Sequence, residues 1–185
     1  MGSVKMIFLI EANEQYIDEL EQFKNEVLVY DAENEDQFAG CMGLENCSTA
    51  KEWIEMCNLR KKAETCELTG AEVPSTTYFA IRESDNRLVG VIDLRHHINH
   101  PILGTWGGHC GYSVRPSERG NGYAKEMLRL NIKNAKIMGI QKLLVTCDET
   151  NKASEKTILS NGGIFEKIIE VDGCNMKRYW IDINQ

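Results

Sequence analysis

The sequence predicts an α+β domain in three layers, a mixed central sheet of about seven strands flanked by helices. Three observations predict it. Apolar residues alternate between a period of two and a period near 3.6, in the order β-α-α-β-β-β-α-β-α-β-β. Glycine, proline and Asx-type turns separate the segments. The 185 residues carry no internal repeat, linker or low-complexity tract, so residues 1–185 read as one domain.

Residues 4–11 read as the first strand. Tyr16, Ile17, Leu20, Phe23, Val27 and Leu28 recur at helical spacing, which predicts a helix over 13–30 with Asn13 as N-cap. The acidic, glycine-containing stretch 31–47 reads as an exposed loop. Ser48 and Thr49 open a second helix carrying Trp53, Ile54, Met56 and Leu59, expected to end near Glu67. Residues 76–82 and 88–95 form a hairpin around the turn at Ser84-Asp85-Asn86.

A His- and Gly-rich connection, 96–108, leads into a strand over 109–115 that Pro116 ends. A helix over 122–138 follows, with Ala124, Met127, Leu128, Ile132 and Ala135 on its inner face and Gly139 as its stop. Residues 142–147 are a buried strand, 151–160 a short helix, and 164–171 with 175–183 a closing hairpin around Asp172-Gly173.

Composition narrows the class. A net charge of −7, with no basic run longer than Arg60-Lys61-Lys62, argues against nucleic acid as a partner. No apolar stretch approaches the roughly 18 residues of a membrane span, and the start does not read as a signal peptide. The seven cysteines contain no C-x-x-C pair, so they read as reduced thiols of a cytoplasmic protein, not as a disulfide framework or zinc site.

The run from Tyr112 to Ala124 carries the chemistry. A strand stops at Pro116, and a polar turn passes Arg119, Gly120, Asn121 and Gly122 into a helix starting at Tyr123. Helix-start amides have no internal partner and sit at the positive end of the helix dipole. Glycines admit φ > 0 and let phosphate oxygens approach the main chain, and Arg119 adds a fixed positive charge. A dinucleotide G-x-G-x-x-G fingerprint fails, because position 125 is Lys125.

Arg119-Gly120-Asn121-Gly122-Tyr123-Ala124 resembles the acetyl-CoA loop, (R/Q)-x-x-G-x-(G/A), of the GCN5-related N-acetyltransferases (GNAT). The element order is similar over nearly the whole chain. The resemblance implies the acyl-CoA N-acyltransferase fold with acetyl-CoA as co-substrate and no metal. It implies a small-molecule or peptide amine as acceptor, and it is compatible with a homodimer. It further implies that Tyr112, Ser113 and Val114 offer a splayed strand edge to the pantetheine arm. The amides from Gly120 to Lys125 would hold the pyrophosphate, and Asn151 with Ser154 would form the second cofactor segment. Asn151 also reads as a helix cap.

Two family features are missing. The tyrosine that would protonate the thiolate is replaced by Ile158 and Leu159, so Tyr112, Tyr123, Ser154 or water remain as donors. The strand before the loop offers Gly108, His109, Cys110 and Gly111, and no carboxylate.

All four histidines lie in Arg95-His96-His97-Ile98-Asn99-His100 and Trp106-Gly107-Gly108-His109. Imidazole titrates near pH ~6.5, which makes His96, His97 and His109 candidate bases, alongside water. His96 and His100 could alternatively share a metal, though Pro101 and the glycines argue for a loop. Glu83, Glu118 and Glu149 read as surface charges. Asp31, Glu33, Glu35 and Asp36 could attract an amine or simply be solvated. Direct transfer in a ternary complex is the expected mechanism. A non-catalytic acyl-CoA-binding domain and a transferase for another acyl group stay open.

Overall fold

The computed structural model describes residues 6–33 and 37–184. Seven strands form two antiparallel sheets. β1 (Ile7–Glu11), β2 (Ser75–Arg82), β3 (Arg87–Arg95) and β4 (Tyr112–Val114) lie in that order in the first. β5 (Lys142–Asp148), β7 (Cys174–Asp182) and β6 (Ile164–Val171) make the second.

One layer of helices, α1 (Ile17–Tyr30) and α2 (Ala50–Arg60), covers one face; α3 (Tyr123–Ile137) and α4 (Lys152–Leu159) cover the other. β2 is buried along its whole length because both its faces are covered. Tyr78 and Ala80 join the core under α3 with Val89, Ile92, Met127 and Leu128. Phe79 and Ile81 join the core under α1 and α2 with Phe23, Leu88 and Trp53. Trp53 lies parallel to Phe79, with ring centroids 6.4 Å apart.

Several elements differ from the sequence reading. Asn13 caps a 3-10 turn over Glu14–Tyr16, which feeds α1. Thr49, not Ser48, caps α2: its hydroxyl accepts from the Glu52 amide, while the Ser48 amide donates to the Glu52 carboxylate. α2 stops at Arg60, seven residues early, and a separate 3-10 turn spans Cys66–Thr69. The stretch after α1 is not an exposed loop: Asp31, Phe38, Gly40, Cys41, Leu44 and Cys47 are buried. Glu35 and Asp36 lie outside the described residues.

On α3, Ile132 packs on the core partly buried, as expected, and Asn131 beside it is fully buried. The connection after β3 includes one π-helical turn, Leu103–Gly107. Its carbonyls are held by Arg95 at Gly107 and by Arg178 at Gly104 and Thr105. The strand expected over 109–115 is regular only over Tyr112–Val114. That irregularity is where the two sheets part.

Candidate functional site

β4 pairs with β3 through Gly90↔Val114, Val91↔Ser113 and Ile92↔Tyr112. The Arg95 and Asp93 amides of β3 donate to His109 O and Gly111 O, and the Arg115 amide donates to Val89 O. Antiparallel alternation therefore turns the amides of Tyr112 and Val114 to the opposite edge. β5 pairs only with β7, so no described strand covers that edge. His109 links the two sheets. The His109 amide donates to Leu144 O at 2.8 Å, and the Leu144 amide donates back to His109 Nδ1 at 2.9 Å.

The loop after β4 runs from that open edge to a helix start. Pro116–Glu118 make one 3-10 turn. Gly120 and Gly122 take φ of +78° and +81°, a conformation costly for any residue with a Cβ. Nothing lies within 4 Å of where a Cβ would stand on either, so the loop face is open. Gly122 occupies the N-cap of α3, and no side chain caps the helix. The amides of Tyr123, Ala124 and Lys125 are thus left for a ligand or solvent. Asn121 braces the turn from inside, its Nδ2 donating to Glu118 O at 2.9 Å.

Charged anchors hold this loop from behind. Arg115 is fully buried and donates to Glu26 and Glu19 of α1, at 2.7 and 2.8 Å. Glu118 is not a surface charge. It is buried and accepts from Arg82 at 2.7 Å, with Arg87 3.2 Å away. The Tyr123 hydroxyl points into the same cluster and accepts from Arg82 at 3.1 Å, which removes it as a proton donor in the open site. Arg119 is engaged too: its guanidinium grips the buried Asp31 carboxylate, at 2.8 Å for Nη1, and its Nε reaches Val114 O at 3.2 Å. Asp31 is therefore not free to attract an amine.

The other predicted residues divide by face. Tyr112 and Val114 point toward the α3 layer, where the Tyr112 hydroxyl meets Ser154 Oγ at 2.7 Å. Burial pushes the Tyr112 phenol well above its usual range, so it stays protonated. Asn151 caps α4, its Oδ1 accepting from the Ser154 amide at 3.0 Å, which fixes Ser154 beside Tyr112. Ser113 points the opposite way, its Oγ donating to Ala39 O at 2.7 Å. On that face Gly40 crosses Gly111 so closely that a Cβ on Gly40 would stand 2.3 Å from Gly111 O.

The histidines do not converge. His109, expected among the bases, has its Nδ1 occupied by the Leu144 amide, so the neutral ring carries its proton on Nε2 and has no free lone pair. Burial lowers its pKa to about 4. His96 is half-buried at the end of β3, with Nε2 2.9 Å from Thr76 Oγ1. His97 is exposed and accepts the Asn99 amide at 3.3 Å. His100 sits 3.0 Å from Glu72. Among the described residues no group of three metal-ligating side chains occurs, and no helix is long and apolar enough to cross a membrane.

Asp93 was not singled out in the sequence. Its carboxylate accepts the Gly111 amide at 2.6 Å and lies 3.5 Å from Arg95, on the face opposite Tyr112. The available signal was a lone carboxylate inside the apolar run Leu88–Leu94.

An open strand edge thus runs onto an uncapped helix start. Residues 18–164 match the family described as the acetyltransferase (GNAT) domain, and the chain belongs to that family. Among solved structures it is similar to RimL, a ribosomal L7/L12 alpha-N-protein acetyltransferase in complex with coenzyme A. Identity is 17%, the TM-score is 0.66, and 96% of this chain and 94% of that one are covered. It is similar to the microcin C7 self immunity acetyltransferase MccE in complex with acetyl-CoA and AMP, at 15% identity, a TM-score of 0.66 and 95% and 92% coverage. A GNAT-family acetyltransferase from Bacillus anthracis matches at 16% identity, a TM-score of 0.61 and 99% and 98% coverage. A search of curated proteins finds no match.

Proposed function

We propose that the protein transfers an acetyl group from acetyl-CoA to a primary amine, directly, within a ternary complex. One observation carries this: the unpaired edge of β4 runs straight into the glycine-opened start of α3. The edge suits the amide-bearing pantetheine arm, which would add to it as a strand. The uncapped amides from Gly120 to Lys125 suit the pyrophosphate. Bound there, acetyl-CoA supplies an activated thioester.

The remaining roles fall to named groups. The outward amide of Val114 is placed to polarise the thioester carbonyl. The Tyr112 hydroxyl, protonated and paired with Ser154, is the donor for the thiolate leaving group, replacing the tyrosine missing from α4. Arg119 acts on the loop, locking it to Asp31. Proton removal from the amine falls to water or to His96 and His97 at the end of β3. Seven free cysteines, six of them buried, suit direct transfer over a covalent enzyme intermediate and fit a reducing, cytoplasmic setting. The solved relatives are named for protein N-termini, microcin and spermidine, which leaves peptide and small amines as the acceptor classes to screen.

Calorimetric titration with acetyl-CoA, on wild type and Gly122→Trp, tests the reading. Micromolar binding that the variant loses is expected, and coenzyme A release with an amine panel then identifies the acceptor. Folded wild type that binds no acetyl-CoA would overturn it. Binding without turnover on any amine would leave an acyl-CoA-binding domain.

A further inference from the structure

The backbone of β4 changes partners in three steps as it nears the joint between the sheets. Ser113 is in the ladder with β3. Two residues earlier, the Gly111 amide skips the Asp93 carbonyl and donates to the Asp93 side chain at 2.6 Å, although Asp93 N still donates to Gly111 O at 3.1 Å. Two residues earlier again, the His109 amide has left β3 for Leu144 of β5. A regular antiparallel pair would exchange both backbone bonds. Here a side-chain oxygen, farther from its own backbone than the carbonyl, replaces one of them.

The vacated Asp93 carbonyl is not idle. Asn131 on α3, fully buried, donates Nδ2 to it at 2.9 Å. The Asn131 Oδ1 atom has no partner. An apolar residue would pack this helix face without a stranded acceptor, so the asparagine is explained by the carbonyl it occupies. On the other face Gly40 packs on Gly111, leaving the strand no room to relax.

We infer that Asp93 and Asn131 are positioning residues: together they lever β4 out of the first sheet at Gly111 and so set the gap in which the thioester is held. This rests on the acetyl-CoA reading of the β4 edge. Asp93 supplies the longer acceptor. Asn131 keeps the shorter one from taking the amide back. Of the neighbouring charged and titratable groups, Arg95 holds Gly107 and Gly108 through Nη1 and lies 3.5 Å from the Asp93 carboxylate through Nη2, and His109 is committed to Leu144.

Three variants test it, by calorimetry with acetyl-CoA and by the Gly111 amide resonance in the ligand-free protein. Asp93→Ala is expected to weaken acetyl-CoA binding by about tenfold, the scale of one net hydrogen bond, and to shift the Gly111 resonance. Asp93→Asn keeps an acceptor oxygen and restores both to within about threefold. Asn131→Leu frees the Asp93 carbonyl, so it weakens acetyl-CoA binding without lowering the thermal midpoint, an outcome a purely structural role would not give.

A Gly111 resonance indifferent to Asp93→Ala overturns the inference, as does an unchanged affinity in that variant. A drop in kcat for Asp93→Asn, with intact acetyl-CoA affinity and a flattened pH profile, would make the carboxylate a proton acceptor and overturn it too. Wild type that fails to bind acetyl-CoA would sink the functional reading alone, since the Gly111 resonance still reports on the lever.

Discussion

Arg115 is the position at which the loop is expected to fail most visibly. Its side chain is 1% exposed and donates to Glu26, Glu19, Gln22 and the Leu88 carbonyl, at 2.7, 2.8, 3.1 and 3.1 Å. Arg115→Met keeps most of the volume and removes every donor. Breaking a fully buried ion pair costs about 3–5 kcal/mol, and an exposed one contributes about 0–1. The two carboxylates, 28% and 23% exposed, can partly rehydrate, whereas the Leu88 carbonyl loses its side-chain donor. About 3 kcal/mol is the expected loss at pH 7, or roughly 6–12 °C in thermal midpoint for a domain this size. Burial pushes the Glu26 pKa up, but hydrogen bonds from Ser117 and Arg115 outweigh it and hold the group below its ordinary value. A carboxylate depressed in the folded state stabilises above its unfolded pKa and loses that contribution as pH falls through the folded one. The gap between wild type and Arg115→Met, read by urea unfolding, should therefore narrow below about pH 4. A loss under about 1 kcal/mol at pH 7, or a gap constant with pH, would refute the reasoning.

Other outcomes follow from the same geometry. Tyr112→Phe should lower kcat by about a hundredfold or more with little change in acetyl-CoA affinity, as loss of a positioned proton donor does; equal loss in both would make the residue a binding group. His109, held near a pKa of about 4 by burial, makes the folded state reluctant to take a proton. Wild type should accordingly lose up to about 3 kcal/mol between pH 6.5 and 4, and His109→Gln should flatten that fall in a pH series of unfolding curves. Gly40→Ala places a Cβ 2.3 Å from the Gly111 backbone at a positive φ, so it should cost about 2 kcal/mol or more, seen as a lowered thermal midpoint.

How much of this the sequence shows depends on the range of the forces involved. Periodicity and punctuation are local, and among the described residues they located the seven strands and four helices to within a few residues, with α2 the exception. The loop between β4 and α3 was legible for the same reason, since its glycines, proline and helix start are consecutive. What stayed hidden needs partners distant in the chain. Glu118 looks solvated until Arg82 and Arg87 arrive from the hairpin. Asp31 looks like a loop charge until Arg119 closes on it. His109 looks like a base until the Leu144 amide takes its ring nitrogen. A lone polar residue in an apolar run, Asp93 or Asn131, was the one sign available beforehand.

The segment after α1 explains why those long-range partners matter together. Among the described residues it touches the β4 stretch through Asp31 on Arg119, Gln37 and Ala39 on Ser113, and Gly40 on Gly111. α1 itself holds the next stretch through Glu19 and Glu26. Gly111, Ser113, Arg115, Ser117 and Arg119 are thereby held on α1 or its following loop, while Tyr112 and Val114 keep their amides outward. A strand edge left open in water would ordinarily seek another strand. Here its backing is held on α1, and its open side is closed at one end by the His109–Leu144 joint. The charges that look scattered along the sequence hold the backbone of this edge against α1 and its following loop.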